Sequence, residues 1–164
     1  MKDMANDKIH EFWDALEDVT DGMLGLKGDA LIPMAPKVRD DAEDGKIWFI
    51  TAAGTDLHKA IAGGAQEARF VVAERNEGIW ADIEGTLAAE NDASVLDEIW
   101  SAAAAAWFDE GREDDDVRLM SFTPRTAEVT LTDDNPLRFF YEIAKARVTD
   151  EKPDFGGWQG KLTF

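Results

Sequence analysis

The chain contains no cysteine. That excludes disulfides, thiolate metal sites and a cysteine nucleophile, while leaving the compartment open, because oxidising and reducing locations both tolerate the absence. Histidine is almost as scarce: His10 and His58 are the two present, neither in an HExxH pair nor beside another ligand, and both read as surface residues. No GxSxG elbow, Walker loop or GxGxxG fingerprint occurs, so hydrolase, P-loop and Rossmann functions have no sequence support. No run approaches the roughly 18 apolar residues of a membrane span. The opening MKDMANDKIHEF also lacks the apolar stretch of a signal peptide, so a cytoplasmic location is expected. Positive charge is short as well. Seventeen Lys and Arg face 35 Asp and Glu, and the net charge of −18 repels phosphodiester backbones and anionic headgroups; neither nucleic acid nor a membrane is expected as a partner.

What is present is enough to fold. Of 164 residues 45% are apolar and 32% charged, which fits one domain over residues 1–164, with residues 149–164 as an extension. Ile9, Phe12, Trp13, Leu16 and Val19 recur at helical spacing, so an amphipathic helix opens the chain and Asp21-Gly22 ends it. Residues 23–26 read as a strand, and 31–38 as an edge strand, because Pro33 and Pro36 cannot donate to a ladder. After a turn at 40–45, the IWFITA run at 47–52 is a dense strand, and Thr55 caps a short helix to 62. Strands follow at 67–74 and 78–89; in the second, Ile79, Ala81, Ile83, Gly85 and Leu87 share one face. Asp92 is expected to cap one alanine-rich helix through Trp107. An acidic loop leads to strands 117–122 and 127–131, hinged at Thr123-Pro124-Arg125, and Pro136 starts a helix to about 148. The tail beyond shows no clear periodicity. Strands that follow one another without intervening helices suit a small antiparallel barrel with flanking helices better than a parallel doubly wound sheet.

Two acidic clusters invite a metal and fail to specify one. In DDAEDG, Asp40, Asp44 and Gly45 match the first, fifth and sixth positions of an EF-hand loop, but Ala42 and Thr51 stand where further ligands are needed. Residues 113–116 hold four neighbouring carboxylates with no glycine turn. Both read as solvated loops. Of the six tryptophans, Trp13 and Trp100 fall on apolar helix stripes, where packing explains them.

The ordered series IPMAPK, IWFIT, WADIEGTL, the helix from IW to AWF, TPRTAE and the late AKARVTD stretch runs through most of the chain. In this order and spacing it resembles the pyridoxamine 5'-phosphate oxidase-like split barrels, and within them the bacterial general stress proteins. The resemblance implies a six-stranded split β-barrel with flanking helices that forms a homodimer and binds FMN, sometimes FAD, in a groove between subunits. A flavin-binding stress protein, with or without oxidoreductase turnover, is then the expected function. Family members place a basic residue, four residues and a lysine on the second strand; here Ile32 replaces the basic residue and Lys37 keeps its place. By the same resemblance Ile50 and Thr51 end the next strand at the flavin, and Lys59 comes from the short helix beyond. An aromatic pair that follows Ala-Glu in the family is Val129 and Thr130 here.

Residue chemistry adds to that pattern. A flavin phosphate carries nearly two negative charges, so a strongly acidic chain must gather cations and free N–H groups in one place. Lys59, close behind the Thr55 cap, is either a phosphate ligand or an exposed helix lysine. Arg39 either joins Lys37 by strand alternation or pairs with the acidic turn. Pro33, Met34, Ala35 and Ile50 can line the ring. Trp107 either closes the pocket across a dimer or packs in the core. Ile32 also supports a different expectation, a non-catalytic acidic dimer that has lost flavin and acts through a protein partner.

Overall fold

In the computed structural model, which describes residues 2–40, 44–132, 136–152 and 157–164, all seven strands join one antiparallel sheet. They are β1 (Gly22–Leu26), β2 (Ile32–Met34), β3 (Ile47–Ala52), β4 (Gln66–Glu74), β5 (Ile79–Glu90), β6 (Val117–Leu131) and β7 (Trp158–Thr163). The order β2-β1-β4-β5-β6-β3 coils six of them into a nearly closed barrel, leaving one seam between the end strands β2 and β3. This is the split barrel with flanking helices that the sequence suggests. The prolines mark where it splits: β2 is three residues long, and the chain next meets β3 at Lys37, whose N–H and C=O both bond Trp48, at 2.8 and 2.7 Å.

The core follows the period-2 pattern. Ile79, Ala81, Ile83 and Leu87 of β5 are buried on one face, opposite Phe70 and Val72 of β4 and beside Phe122, Ala127 and Val129 of β6. Phe70 packs edge-on against Phe49, with ring centroids 5.1 Å apart. Helix α1 (Lys2–Glu17) closes one end with Phe12, Trp13 and Leu16, and Phe164 at the far end of the chain packs on Phe12. A smaller cluster lies outside the barrel, where Val95, Leu96 and Ile99 of α3 (Ala93–Ile99) cover Trp48 and Leu119.

Four local expectations are corrected. The helix from 92 to 107 is two: Trp100 adopts extended backbone (ψ 137°), and the Ser101 hydroxyl caps a separate α4 (Ala102–Ala105) by accepting from the Ala104 N–H at 3.2 Å. Alanine propensity runs through the segment, but a capping serine and the Trp100 ring, which packs on Phe108, divide it. The strands at 117–122 and 127–131 are one strand. A bulge absorbs the supposed hinge: Gly85 pairs Pro124 and Glu84 pairs Thr126, so Arg125 has no partner in β5. A Cβ at Gly85 would stand 2.2 Å from the Thr123 carbonyl oxygen, so only glycine allows β6 to lean in there. The tail forms β7, which pairs the second half of β6 and buries Leu162. Lastly, the edge segment 31–38 is strand only at 32–34. The centre of the turn at 40–45, Ala42 included, and residues 153–156 of the tail lie outside the described residues.

Candidate functional site

The open seam is a cleft of about 470 Å³. Its first wall is Pro33, Met34, Ala35 and Lys37, and the facing wall is Ile50, Thr51 and Ala52 with Thr55 beyond. The cleft exists because the ladder that could seal these walls is made only at Lys37 and Trp48. Helix α4 forms the outer side through Ser101, Ala103 and Ala104, where alanine side chains are short enough to leave room. Trp107 stands at the rim with 86% of its surface exposed, which removes core packing as its role.

Eight residues expected at the site therefore line one cavity: Pro33, Met34, Ala35, Lys37, Ile50, Thr51, Thr55 and Trp107. Lys59 does not line it. It sits on the six-residue α2 (Asp56–Ile61), its main-chain N–H bonded to the Thr55 carbonyl at 3.0 Å and its side chain toward solvent. Thr55 caps that helix, its hydroxyl oxygen accepting from the His58 N–H at 3.4 Å, and it lies 3.4 Å from the Thr51 hydroxyl. His10 is exposed, whereas His58, also expected at the surface, is half-buried in α2.

The charges divide sharply. Arg39 turns to the acids: its Nε donates to Glu98 at 2.5 Å and its Nη1 to Asp44 at 3.5 Å, and the Glu98 bond raises its pKa further. Asp44 also accepts from the Trp48 indole N–H at 2.7 Å and the Lys46 N–H at 3.0 Å. The acidic turn thus ties α3 to β3, and among the described residues no group of acids is placed to hold a metal. Elsewhere Arg69 makes a two-pronged bond to Asp82 at 2.6 and 2.7 Å, while Lys27 and Arg125 pair with Glu67. Lys37 takes part in none of the ion pairs among the described residues.

Apolar walls, three rim hydroxyls and one uncommitted ammonium fit a flat heteroaromatic ring that bears an anionic group. Sequence reasoning missed Asp21, Ala52, Ser101, Ala103, Ala104 and Phe108. The alanines carried a signal, since a run of small residues permits close approach; Asp21 joins the wall only through the pairing of β1 with β2. Ile32 lies beside the cleft without lining it, 43% exposed on the edge strand. Val129 is buried in the sheet and Thr130 half-buried, both away from the cleft.

No helix among the described residues is long and apolar enough to cross a membrane. No curated protein matches the chain. Solved structures do. A general stress protein 26 candidate from Jannaschia sp. CCS1 is 55% identical with a TM-score of 0.89, over 97% of this chain and 99% of that one. The general stress FMN/FAD binding protein of Xanthomonas citri is 26% identical with a TM-score of 0.69, over 79% and 92% of the two chains. General stress protein 26 of Bacillus anthracis str. Sterne, at 16% identity and a TM-score of 0.59 over 73% and 90%, shares the fold. The sequence pattern of the family described as pyridoxamine 5'-phosphate oxidase like matches residues 7–154, nearly the whole chain and every element that builds the cleft, and this protein is a member of that family.

Proposed function

We propose that the seam cleft binds a flavin, FMN or FAD, and that this is the protein's function as a general stress protein. The observation that carries the proposal is Lys37, which joins no ion pair among the described residues at an apolar cleft in a chain of net charge −18, while Arg39, Arg69, Arg112 and Arg125 are each held by acids. Met34, Ala35 and Ile50 would hold the ring by apolar contact, and Lys37 would attract its anionic side. The Thr55 hydroxyl marks a path to α2, where Lys59 waits one turn further on for a phosphate. The relative from Xanthomonas citri, which is described as binding FMN/FAD, supports the same ligand class.

A bound flavin supplies the redox chemistry itself, so the chain need only position it and exclude water. That is in keeping with a cleft whose walls are mostly apolar. It suits a reductase or a flavin carrier equally. We further propose a homodimer, because Trp107 at the rim and the edge residue Ile32 leave apolar surface that a second copy would cover.

The test is the visible spectrum of the purified protein before and after FMN is added and excess ligand is removed by gel filtration. Retained bands at about 375 and 450 nm, where oxidised flavins absorb, are expected, together with light scattering at twice the chain mass. Ile32, at the position where the family resemblance expects a basic residue, favours a second reading in which the acidic dimer has lost flavin and meets a protein partner. A dimer that retains no band at high micromolar FMN would establish that alternative over the first.

A further inference from the structure

Two charged residues line the cleft among the described residues, and their signs are opposite: Lys37 and Asp21. Asp21 immediately precedes Gly22, whose register partner in β2 is Met34, so its backbone stands level with Ala35, two residues from Lys37. Its carboxylate accepts from the Thr20 hydroxyl at 3.2 Å and joins no ion pair among the described residues. The cleft lining is therefore neutral in sum, inside a strongly acidic molecule. The other nearby cations do not change this balance: Arg39 is held by Glu98 and Asp44, and Lys59 lies outside the lining.

We propose that Asp21 is a specificity-determining residue that offsets Lys37, so that the cleft grips a flavin by its ring and discriminates weakly by its phosphate. This rests on the flavin reading above. An aromatic ring gains its affinity from apolar contact, to which a carboxylate at the wall is nearly indifferent. A phosphate of nearly two negative charges is drawn by Lys37 and repelled by Asp21, so the two effects oppose each other. Because Asp21 is exposed, its effect is modest and sensitive to salt.

The experiment compares the dissociation constants of FMN and riboflavin for the full-length protein. The variants are Asp21→Asn, Lys37→Met and the control Asp18→Asn, an exposed acid three residues away that does not line the cleft. At low ionic strength Asp21→Asn should raise the preference for FMN over riboflavin by about three- to tenfold, and 0.5 M salt should remove most of that gain. Lys37→Met should lower the preference, and Asp18→Asn should leave it within about twofold. Asp21→Ser gives the same readout if the asparagine variant is poorly folded. An unchanged preference in the Asp21 variants, or an equal rise in Asp18→Asn, overturns the proposal while leaving flavin binding intact. Failure of the unaltered protein to bind either flavin overturns the flavin reading itself, and this inference with it.

Discussion

Lys37 and Trp48 exchange two main-chain hydrogen bonds, 2.8 and 2.7 Å long, across the seam of an otherwise open barrel wall. This one rung sets the cleft. On one side the walls are held together; on the other, residues 33–35 and 50–52 stand apart with a cavity between them. The Trp48 ring is buried under α3 and its indole N–H is fixed by Asp44, so the rung is braced from outside the barrel.

That brace makes Asp44→Ala a test of the seam. The change leaves the nearly buried indole N–H of Trp48 without its acceptor and removes the more distant of the two acids on Arg39, which keeps Glu98, at a cost of about 1–3 kcal/mol. Denaturant unfolding should show the lower stability, and hydrogen exchange should show faster loss of the Lys37 and Trp48 amides. Trp48→Phe, which has no indole N–H, should make the further loss from Asp44→Ala smaller.

Lys59 and Ile32 separate a phosphate ligand from a bystander. With the phosphate proposed to run past Thr55, Lys59→Ala should weaken FMN by less than about 1 kcal/mol, because the lysine is exposed, and riboflavin hardly at all. Ile32→Arg should fold normally, because Ile32 is 43% exposed, and should improve FMN affinity by less than that amount. Titration calorimetry with both ligands checks the pair. Equal losses of both flavins in Lys59→Ala would assign the lysine to the fold.

Gly85 should tolerate no side chain. Its missing Cβ is what lets the Thr123 carbonyl approach at the bulge, so Gly85→Ala must push β6 outward where it leaves β3 and takes up β7. The expected loss is about 1–3 kcal/mol of stability. Thermal unfolding checks it, and Gly28→Ala, in open space on an exposed turn at φ 86°, is the comparison that isolates backbone strain from collision.

Acid should weaken one exposed face of the sheet. The Arg69 guanidinium holds the Asp82 carboxyl below its ordinary range, mainly through the two-pronged hydrogen bond. A carboxylate whose pKa is lowered on folding stabilises the native state above its unfolded value of about 3.9, and the contribution disappears as pH falls through the lower folded value. Asp82→Asn should therefore cost less than about 1 kcal/mol at pH 7. It should also flatten the acid limb of the stability curve below about pH 4. Urea unfolding of both proteins across that range is the measurement, and parallel curves would remove the pair from acid stability.

By itself the sequence determined the elements whose signals are local. Alternating apolar residues in β5, the Thr55 cap, the two prolines that prevent a continuous edge ladder and the helical stripe from Ile9 to Leu16 all act over a few residues. Each leads to the same element in the structure. Eight residues named by the family pattern line one cleft because that cleft is built mostly from two short segments, 33–37 and 50–55. Tertiary structure decided the rest. Nothing within the tail marks β7 as a strand until β6 offers it an open edge, and no local signal sends Arg39 to Glu98, 59 positions away. Asp21 belongs to the cleft only because β1 pairs with β2, and Lys59 is outside it only because α2 turns its side chain to solvent. A strand partner or a neutral cleft is a property of residues distant in the chain, and free energy assigns it only once the barrel has closed around its core.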